Sequence, residues 1–421
     1  MRTQRMRAVG LAVVLALSAV LAIPAGAAQA GDALFSPLEI ASIHGASLSL
    51  DTSFQALLDN PTTASLQVVR ANADMVNRKA QTLRLNLGDG LDFRAHQVRS
   101  YVNNFGNLVW YGVIEDQSAA VIVPWSAEAL KFDPINSVML VRDGKTITGN
   151  VHYGGELYKI RPLKSGDHAI AAVDFSSLPP DHPAEYANLP TYKMPPTFTA
   201  QADTVIRVMV NWTSSAASAS GNISALVDLA VAEANQGYTN SGVFIDLILA
   251  HKSQVTYTQS GSFSTDLSRY RGTTDGFMDS IHTTRNSVAA DVAFLVINNA
   301  SSCGLASGIG STASTAFADA HWDCITGYYS FGHEIGHLQS ARHDINTDGT
   351  LSPYAYGHGY RYTGSPSWRT IMAYDCPSGC PRLNYWSNPN KLYNGVAMGN
   401  TTRADNTRVL NATRGTVGAF R

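Results

Sequence analysis

The chain has 421 residues, room for roughly two to three domains of about 150 residues, and 45% of it is hydrophobic against 15% charged. This composition can build packed cores and excludes a wholly disordered chain, a collagen-like fibre and a coiled coil. The 30 basic residues are balanced by 32 acidic ones, giving a net charge of −2. Without a basic excess to neutralise phosphates, we expect no nucleic-acid partner.

The first 30 residues have the pattern of a secretory signal peptide. Arg2, Arg5 and Arg7 precede an apolar run from Ala8 to Ile23, and Ala28-Gln29-Ala30 is a small-x-small cleavage site. A membrane anchor is the alternative, but a spanning helix needs about 20 apolar residues and no stop-transfer pattern follows. We expect a protein secreted to the extracellular space, or to the periplasm, with no stable membrane anchor.

Four cysteines lie in the last third of the chain: Cys303, Cys324, Cys376 and Cys380. An even, clustered set in an exported chain is typical of two disulfides. Four cysteines allow three connectivities, and we favour 303–324 with 376–380 because local pairing needs the least chain rearrangement. Metal ligation by these cysteines is the alternative, which the histidine ligand set described below disfavours.

A Pro-rich linker at about 176–202 separates two folded-looking halves. The first half has a mixed helical pattern around Ser53–Lys79, and Arg142-Asp143-Gly144-Lys145 is a hairpin-turn pattern. Strand-like runs follow the helical pattern at Thr82–Leu87, Val109–Ile114, Ala119–Val123, Val138–Val141, Thr146–His152 and Leu157–Arg161. We predict a β-rich domain that carries no catalytic motif.

The second half alternates strands with helices. A helical pattern at Asn222–Gln236 ends at Gly237, and a longer one at Asp266–Ser287 is interrupted at Gly272 or Gly276. Apolar strands are predicted at Thr204–Trp212, Val243–Ala250 and Asp291–Asn298. The alternation predicts an α/β (α+β) domain with a mixed, mostly parallel twisted sheet covered by helices.

The chemistry-bearing segment is Ser330 to Asp344, which contains the pattern H-E-x-x-H. On a helix, His333 and His337 lie four residues apart on one face, so both can reach one zinc ion. Glu334 then projects beside the metal, where it can accept a proton from the water. His343, six residues beyond His337, becomes a third ligand if the helix ends and the chain turns. Three protein ligands leave one position open, the mark of a catalytic zinc.

This segment resembles the metzincin zinc metalloproteases, whose pattern H-E-x-x-H-x-x-G-x-x-H is followed by a methionine-containing turn. Met372, in Thr370-Ile-Met372-Ala-Tyr374, comes 29 residues after His343 and matches that Met-turn. The resemblance covers about 204–421 and is greatest to bacterial reprolysin-like enzymes, in particular the peptidyl-Asp metalloendopeptidases. It implies a metzincin-type catalytic domain at 203–421 preceded by a propeptide at 31–202.

Two positions are a departure from the family pattern or an ambiguity within it. Ser340 stands where the pattern has Gly, and a left-handed backbone there would cost a residue with a Cβ ~1–2 kcal/mol. Tyr374 matches a tyrosine that is a metal ligand leaving in the transition state in some metzincins and structural in others. For His321 and His358 we favour surface or packing roles over a role around the metal.

Asp344-Ile-Asn346-Thr-Asp348-Gly349 resembles the first half of a calcium loop, but Ala355 stands where position twelve needs a bidentate Glu. We therefore favour a local structural role for Asp344 and keep Ca²⁺ as the alternative.

The residues and the resemblance together predict a secreted zinc endopeptidase, made as a zymogen and acting as a monomer on protein or peptide substrates. An extended substrate is predicted to pair with the strand around Ser314–Ala320, just before the active helix. Two rivals remain: a secreted zinc-containing binding or adhesion module without activity, and a zinc amidase acting on a non-protein substrate.

Three finer expectations follow from the peptidyl-Asp resemblance. A subsite that recognises a substrate carboxylate needs a positive side chain, for which we favour Arg382 over Arg369. Latency cannot come from a cysteine switch, since every cysteine lies at or after position 303. We expect the propeptide to block the cleft sterically or through an Asp or His near the zinc, for which His168, Asp181 and His182 are the candidates. Self-processing is expected between Ala202 and Asp203, with cleavage at Asp181 or by an unrelated protease after Lys193 as the alternatives.

Overall fold

The structure is a computed structural model that describes residues 33–38, 48, 50–88, 90–114, 133–196 and 202–421. The predicted signal peptide and the predicted strand Ala119–Val123 lie outside these residues. In the described part of the chain, no helix is both long and apolar enough to cross a membrane.

Most of the described chain before residue 174 forms one antiparallel sheet. Its strands within the described residues are β1 Phe35–Pro37, β2 Thr63–Ala71, β3 Thr82–Gly88, β4 Leu91–Val102, β5 Leu108–Ile114, β6 Ser137–Asp143, β7 Thr146–Tyr153, β8 Glu156–Pro162 and β9 His168–Val173. They lie in the order β1-β2-β9-β8-β7-β6-β5-β4-β3. The predicted β-rich half is confirmed, and the hairpin turn predicted at Arg142-Asp143-Gly144-Lys145 joins β6 to β7, with Asp143 paired to Thr146.

Both faces of this sheet are covered, which explains why its central strands are buried almost throughout. In β5, Trp110 points into a core made by the sheet itself. Its neighbours Val109 and Tyr111 point the other way and join a core shared with the second half of the chain. Side chains alternate across a strand, so each strand supplies both cores.

The second sheet has five strands within the described residues: β10 Thr204–Trp212, β11 Ile245–Gln254, β12 Val292–Ile297, β13 Gly304–Ala306 and β14 Phe317–His321. Their order is β11-β10-β12-β14-β13, with every neighbouring pair parallel except β13 and β14. The predicted mixed, mostly parallel sheet is therefore present.

Helices and short strands complete the described chain. The helices are α1 Thr52–Leu58, α2 Ser214–Ser220, α3 Ile223–Ser241, α4 Phe263–Arg271, α5 Ile281–Ser287, α6 Ser330–Leu338 and α7 Asn406–Val417. The short strands are β15 Arg361–Tyr362, β16 Trp368–Arg369, β17 Asn388–Tyr393 and β18 Val396–Met398. Helix α3 packs between the two sheets, so it is buried on nearly all sides. The disulfides join Cys303 to Cys324 and Cys376 to Cys380, as predicted.

Several predicted elements have different bounds in the structure, and two of the predicted helices illustrate the causes. The helical pattern at Ser53–Lys79 yields only α1, and strand β2 follows it, because the β-branched residues of 63–71 pair with β1 and β9. The helix predicted to end at Gly237 continues to Ser241. Gly237 lies inside it, where a Cβ would come within 2.5 Å of Asn384 Oδ1. The cap is Gly242, with φ 76°.

Candidate active site

Helix α6 carries the H-E-x-x-H residues, and its end determines where the third histidine lies. The N–H of Ser340 donates to the carbonyl of His337, and that of Ala341 donates to the carbonyl of Gly336. This is a Schellman ending, which requires a left-handed residue at Ser340, and Ser340 has φ 75°. The turn brings the chain back toward the helix, so His343 returns to the face that carries His333 and His337.

The three histidines point their Nε2 atoms at one another. The distances are 3.1 Å between His333 and His337, 3.2 Å between His333 and His343, and 3.1 Å between His337 and His343. The Nδ1 atoms of His333 and His337 lie 2.9 Å and 2.8 Å from the carbonyl oxygens of Ile371 and Ala341. A proton on each Nδ1 leaves the Nε2 lone pairs facing the centre.

This arrangement fits a metal ion. All three rings are buried, and burial lowers their pKa values well below the ordinary range, so the neutral, ligating form is favoured. Three converging lone pairs without a proton between them repel one another unless a cation lies among them. Nitrogens bound to one zinc at about 2.0–2.1 Å would lie about as far apart as these do.

Glu334 lies next to the cluster, 1% exposed. Burial raises the pKa of its carboxyl well above the ordinary value, and the N–H of Ala306 donates to it. Its neighbour across the cleft is Gly304, where a Cβ would come within 2.5 Å of Glu334 Oε1. A glycine in strand β13 is therefore what allows the carboxylate to lie against the sheet edge.

The strand predicted to pair with substrate has no free edge in the structure. β14 pairs with β12 on one side and with β13 on the other, so the segment Ser314–Ala320 offers no free edge. The edge beside Glu334 is β13. A three-residue strand carries too little pattern to identify from sequence, and a fully buried strand looks the same at the centre of a sheet as near its edge.

The linker occupies this edge. The N–H groups of Cys303 and Gly304 donate to the carbonyls of Pro180 and Asp181, at 2.8 Å and 3.1 Å. Farther along, the N–H of Tyr192 donates to the carbonyl of Ile309 at 2.8 Å. Linker and edge segment run in the same direction, with Thr191 and Ile309 forming a parallel bridge.

The linker brings a fourth histidine to the cluster. His182, His333, His337 and His343 each offer one nitrogen, and these four atoms lie within 4.8 Å of one another. His182 Nε2 is 3.1 Å from Glu334 Oε1, and burial lowers the pKa of His182 to about 3. His168, another candidate for closing the cleft, is elsewhere: its Nε2 accepts the N–H of Ile147 within the nine-stranded sheet.

Asp181, the residue before His182, contacts the two predicted arginines. Its Oδ2 is 2.7 Å from Arg382 Nη2 and 3.9 Å from Arg369 Nη1. Burial alone would raise the pKa of Asp181, but the two guanidiniums hold it below the ordinary value. Tyr328 completes the group: its ring lies 4.0 Å from the Arg382 guanidinium carbon, and its hydroxyl accepts from Arg369 at 3.2 Å.

Tyr374 and Met372 both lie at the cluster. The Tyr374 hydroxyl is 3.2 Å from His182 Nδ1, and its ring centre is 4.5 Å from that of His343. Met372 is fully buried beneath helix α6, where its sulfur would be 3.3 Å from a Cβ at Gly336.

The calcium alternative finds no support. The carboxylates of Asp344 and Asp348 are paired with Arg361 and Arg342, at 3.0 Å and 2.7 Å. Asp344 also accepts the N–H of Tyr374 at 3.1 Å, which is the local structural role predicted for it.

Two neighbours of His343 were not singled out for this role by the sequence. His358 Nδ1 donates to the His343 carbonyl at 2.8 Å, and the Tyr186 ring stacks on the His343 ring at 4.2 Å. His358 therefore acts beside the cluster rather than at the surface. Neither residue belongs to a motif, so no local signal could have identified these contacts.

Comparisons with known proteins agree with this geometry. The model of metallo-peptidase family M12 matches residues 202–387. A "Peptidyl-Asp metalloendopeptidase" of Xanthomonas campestris pv. campestris is 52% identical over 384 residues, covering 89% of this chain and 90% of that protein. A protein of the same name from Stenotrophomonas maltophilia (strain K279a) is 51% identical, covering 96% of this chain and 97% of that protein. A third, from Pseudomonas fragi, is 50% identical over 189 residues, covering 45% of this chain and all, 100%, of that protein.

Proposed function

The chain belongs to the peptidyl-Asp metalloendopeptidases, metzincin-like bacterial enzymes, and is a zinc metalloendopeptidase; we propose that it is secreted as a zymogen and cleaves on the amino side of aspartate. The proposed specificity rests on the names of its relatives. The proposed secretion rests on the signal-peptide pattern of residues 1–30 and on the two disulfides.

The observation that carries the proposal is the convergence of three buried histidine Nε2 atoms beside the carboxylate of Glu334. His333, His337 and His343 would hold one zinc ion, which when bound polarises the scissile carbonyl and acidifies the attacking water. Met372 packs beneath these ligands, as a Met-turn residue would.

Glu334 acts as general base and then as general acid. It takes the proton of the attacking water and passes it to the leaving amine. The ring of Tyr374 lies beside that of His343, and its hydroxyl would donate a hydrogen bond toward the reacting carbonyl once the linker has left the cleft.

The zymogen proposal assigns residues 31–202 to the propeptide. Its support is the linker in the cleft, which puts His182 against Glu334 and against the three other histidines. A thiol cannot supply the block, because all four cysteines are in disulfides.

The mechanism is tested by Glu334→Ala. Loss of a general base costs about 10²–10⁴-fold in rate, so we expect hydrolysis of casein to become undetectable while zinc stays bound at one equivalent. His337→Ala should lose both zinc and hydrolysis. Casein digestion and metal analysis of the purified proteins measure these effects. Near-normal turnover in Glu334→Ala would contradict the mechanism.

Specificity and maturation are tested separately. Mass spectrometry of fragments from a denatured protein of known sequence should show cuts preceding Asp. Asp203 is exposed at the end of the linker, so self-cleavage after Ala202 would leave strand β10 intact. Amino-terminal sequencing should find Asp203 first in the active form. Normal maturation of Glu334→Ala in a host without other copies would exclude self-processing.

A further inference from the structure

We infer that Arg382, Arg369 and Tyr328 form the pocket that takes the aspartate side chain of the substrate, and that Asp181 fills this pocket in the zymogen while His182 fills the open metal position. This inference rests on the proposed function, because it names the specificity residues of the same site. The three residues are called the carboxylate pocket below.

The carboxylate pocket is built for an anion. The side chains of Arg382 and Arg369 are each 2% exposed. Apart from Asp181, Arg382 donates to the backbone carbonyls of Tyr328 and Ala373, at 3.1 Å and 3.2 Å. Neutral carbonyls and an aromatic face orient a guanidinium without neutralising it.

In the described part of the chain, the carboxylate that neutralises Arg382 comes from the linker. Asp181 is its ion-pair partner at 2.7 Å. Arg369 has Asp375 at 3.7 Å as a second neighbour, but the Asp375 side chain is 45% exposed and lies at the rim. Removal of the propeptide therefore leaves a buried positive charge open to the cleft, where it favours a substrate that brings a carboxylate.

The path of the linker explains why it inhibits and is not cut before Asp181. An enzyme that cuts before Asp must place the carbonyl preceding that Asp at the metal. Here the residue at the metal position is His182, which follows Asp181, while the Pro180 carbonyl accepts the N–H of Cys303 at 2.8 Å. The linker therefore offers the right side chain with its scissile carbonyl held away from the histidines.

A double-mutant cycle on binding tests the pocket without relying on turnover. The probe is a fluorescent peptide of residues 177–192, and the protein is enzyme matured from the full-length chain, as wild type or Arg382→Met. Fluorescence anisotropy gives the dissociation constants with zinc bound and after zinc removal. Peptide variants are Asp181→Asn, His182→Ala and, as the matched control, Glu185→Gln, whose side chain is exposed.

We expect Asp181→Asn to weaken binding to wild type by roughly 10- to 100-fold, as for a buried charge-assisted hydrogen bond, and to have a much smaller effect on binding to Arg382→Met, where only Arg369 at 3.9 Å remains. His182→Ala should weaken binding more with zinc bound than after zinc removal, when only its contacts with Glu334 and Tyr374 are lost, and Glu185→Gln should change nothing. An equal Asp181→Asn effect on both proteins would overturn the pocket. If Arg382→Met does not fold, Arg382→Lys replaces it, since it keeps the charge but loses the paired donors.

A substrate arm separates this inference from the proposed function. Two peptides differ only in Asp or Asn after the scissile bond, and the ratio of their kcat/KM values is the readout. We expect the Asp preference of wild type to fall at least about tenfold in Arg382→Met, with most of the loss in the Asp substrate. If cleavage before Asp depends on zinc but the Asp preference is unchanged in Arg382→Met, the assignment of the carboxylate pocket is wrong and the proposed function stands. Absence of zinc-dependent cleavage in wild type would overturn the proposed function itself.

Discussion

The N-terminal half touches the C-terminal half through two surfaces of different character. The broad one is the face of the nine-stranded sheet, where residues such as Val109, Tyr111 and Met139 share a core with helix α3. The narrow one is the linker in the cleft, where Asp181 and His182 meet charged and metal-binding groups. The broad surface is stabilised by buried apolar area and by buried polar pairs. The narrow surface is stabilised by the contacts of Asp181 with the arginines and of His182 with Glu334.

The difference separates attachment from inhibition. Among the contacts of the broad surface are Lys159 with Asp323, at 2.8 Å, and Asn150 with Glu233, at 2.6 Å. These residues lie outside the histidine cluster. A change there should alter how firmly the proposed propeptide is held without altering the histidine cluster, whereas a change at Asp181 or His182 should act in the cleft and weaken only the hold of the linker there.

The largest expected effect on attachment comes from Lys159→Met. The substitution leaves the Asp323 carboxylate without its main partner. In the wild type, Lys159 and Arg161 hold the pKa of Asp323 well below its ordinary value despite burial. Removing one member of a buried ion pair costs about 3–5 kcal/mol. Urea unfolding in a Glu334→Ala background, which prevents self-cleavage, measures this loss.

The control is Arg70→Met, because Arg70 is 72% exposed and lies 3.7 Å from Asp167. A surface pair of this kind contributes about 0–1 kcal/mol.

The rate of zinc loss to a chelator from folded Lys159→Met should equal that of the parent protein. A faster rate would mean that the two surfaces are not separable.

A smaller effect on attachment is expected from pH. His152, on the broad surface, lies 2.9 Å from the Tyr329 hydroxyl, and burial lowers its pKa from the ordinary 6.5 to about 4. Between these two values the unfolded chain binds a proton that the folded chain does not. The stability that His152 contributes is therefore present above pH 6.5 and is lost as the pH falls to 4, at most ~3 kcal/mol.

We expect urea midpoints of the full-length Glu334→Ala chain to fall with acidification and the fall to be shallower when His152→Gln is added. Buried His168 and His321, each with a pKa lowered to about 4, act in the same direction. Glu233 opposes them, since burial raises its pKa from 4.5 to about 7 and so favours folding at the acid end of that window. An unchanged slope in His152→Gln would rule out this contribution.

The sequence predicted the features whose information is local. The four-residue spacing of His333 and His337 on one helix, the position of His343 after a short turn and the two disulfides between neighbours all depend on short stretches of chain. The parallel sheet also followed from the alternation of strands and helices.

The features that the sequence missed or left open depend on distant parts of the chain. His182 was one of three candidates for closing the cleft, and its contact with Glu334, 152 positions away, depends on the path of the whole linker. Edge strand β13 owes its position to tertiary pairing with β14. Ser53–Lys79 shows helical spacing in part, but the tertiary pairing of β2 overrides it.

The smallest expected effect tests whether strain at the end of helix α6 belongs to the site itself or to the linker contact. Ser340 has φ 75°, and its hydroxyl is 2.8 Å from where a Cβ would lie at Gly310, beside the linker residue Tyr192. A left-handed residue with a Cβ costs ~1–2 kcal/mol, and the greater freedom of glycine in the unfolded chain offsets about 0.5–1 kcal/mol of that. Ser340→Gly should therefore stabilise the protein by about 0.5–1 kcal/mol and leave activity unchanged.

The control of opposite sign is Ser268→Gly, at an exposed position within helix α4, since glycine there costs about 0.5 kcal/mol. Urea unfolding of zymogen and matured enzyme should show the same gain for Ser340→Gly, because the strain lies in the backbone of the C-terminal half. A gain confined to the zymogen would instead place the strain in the contact with the linker.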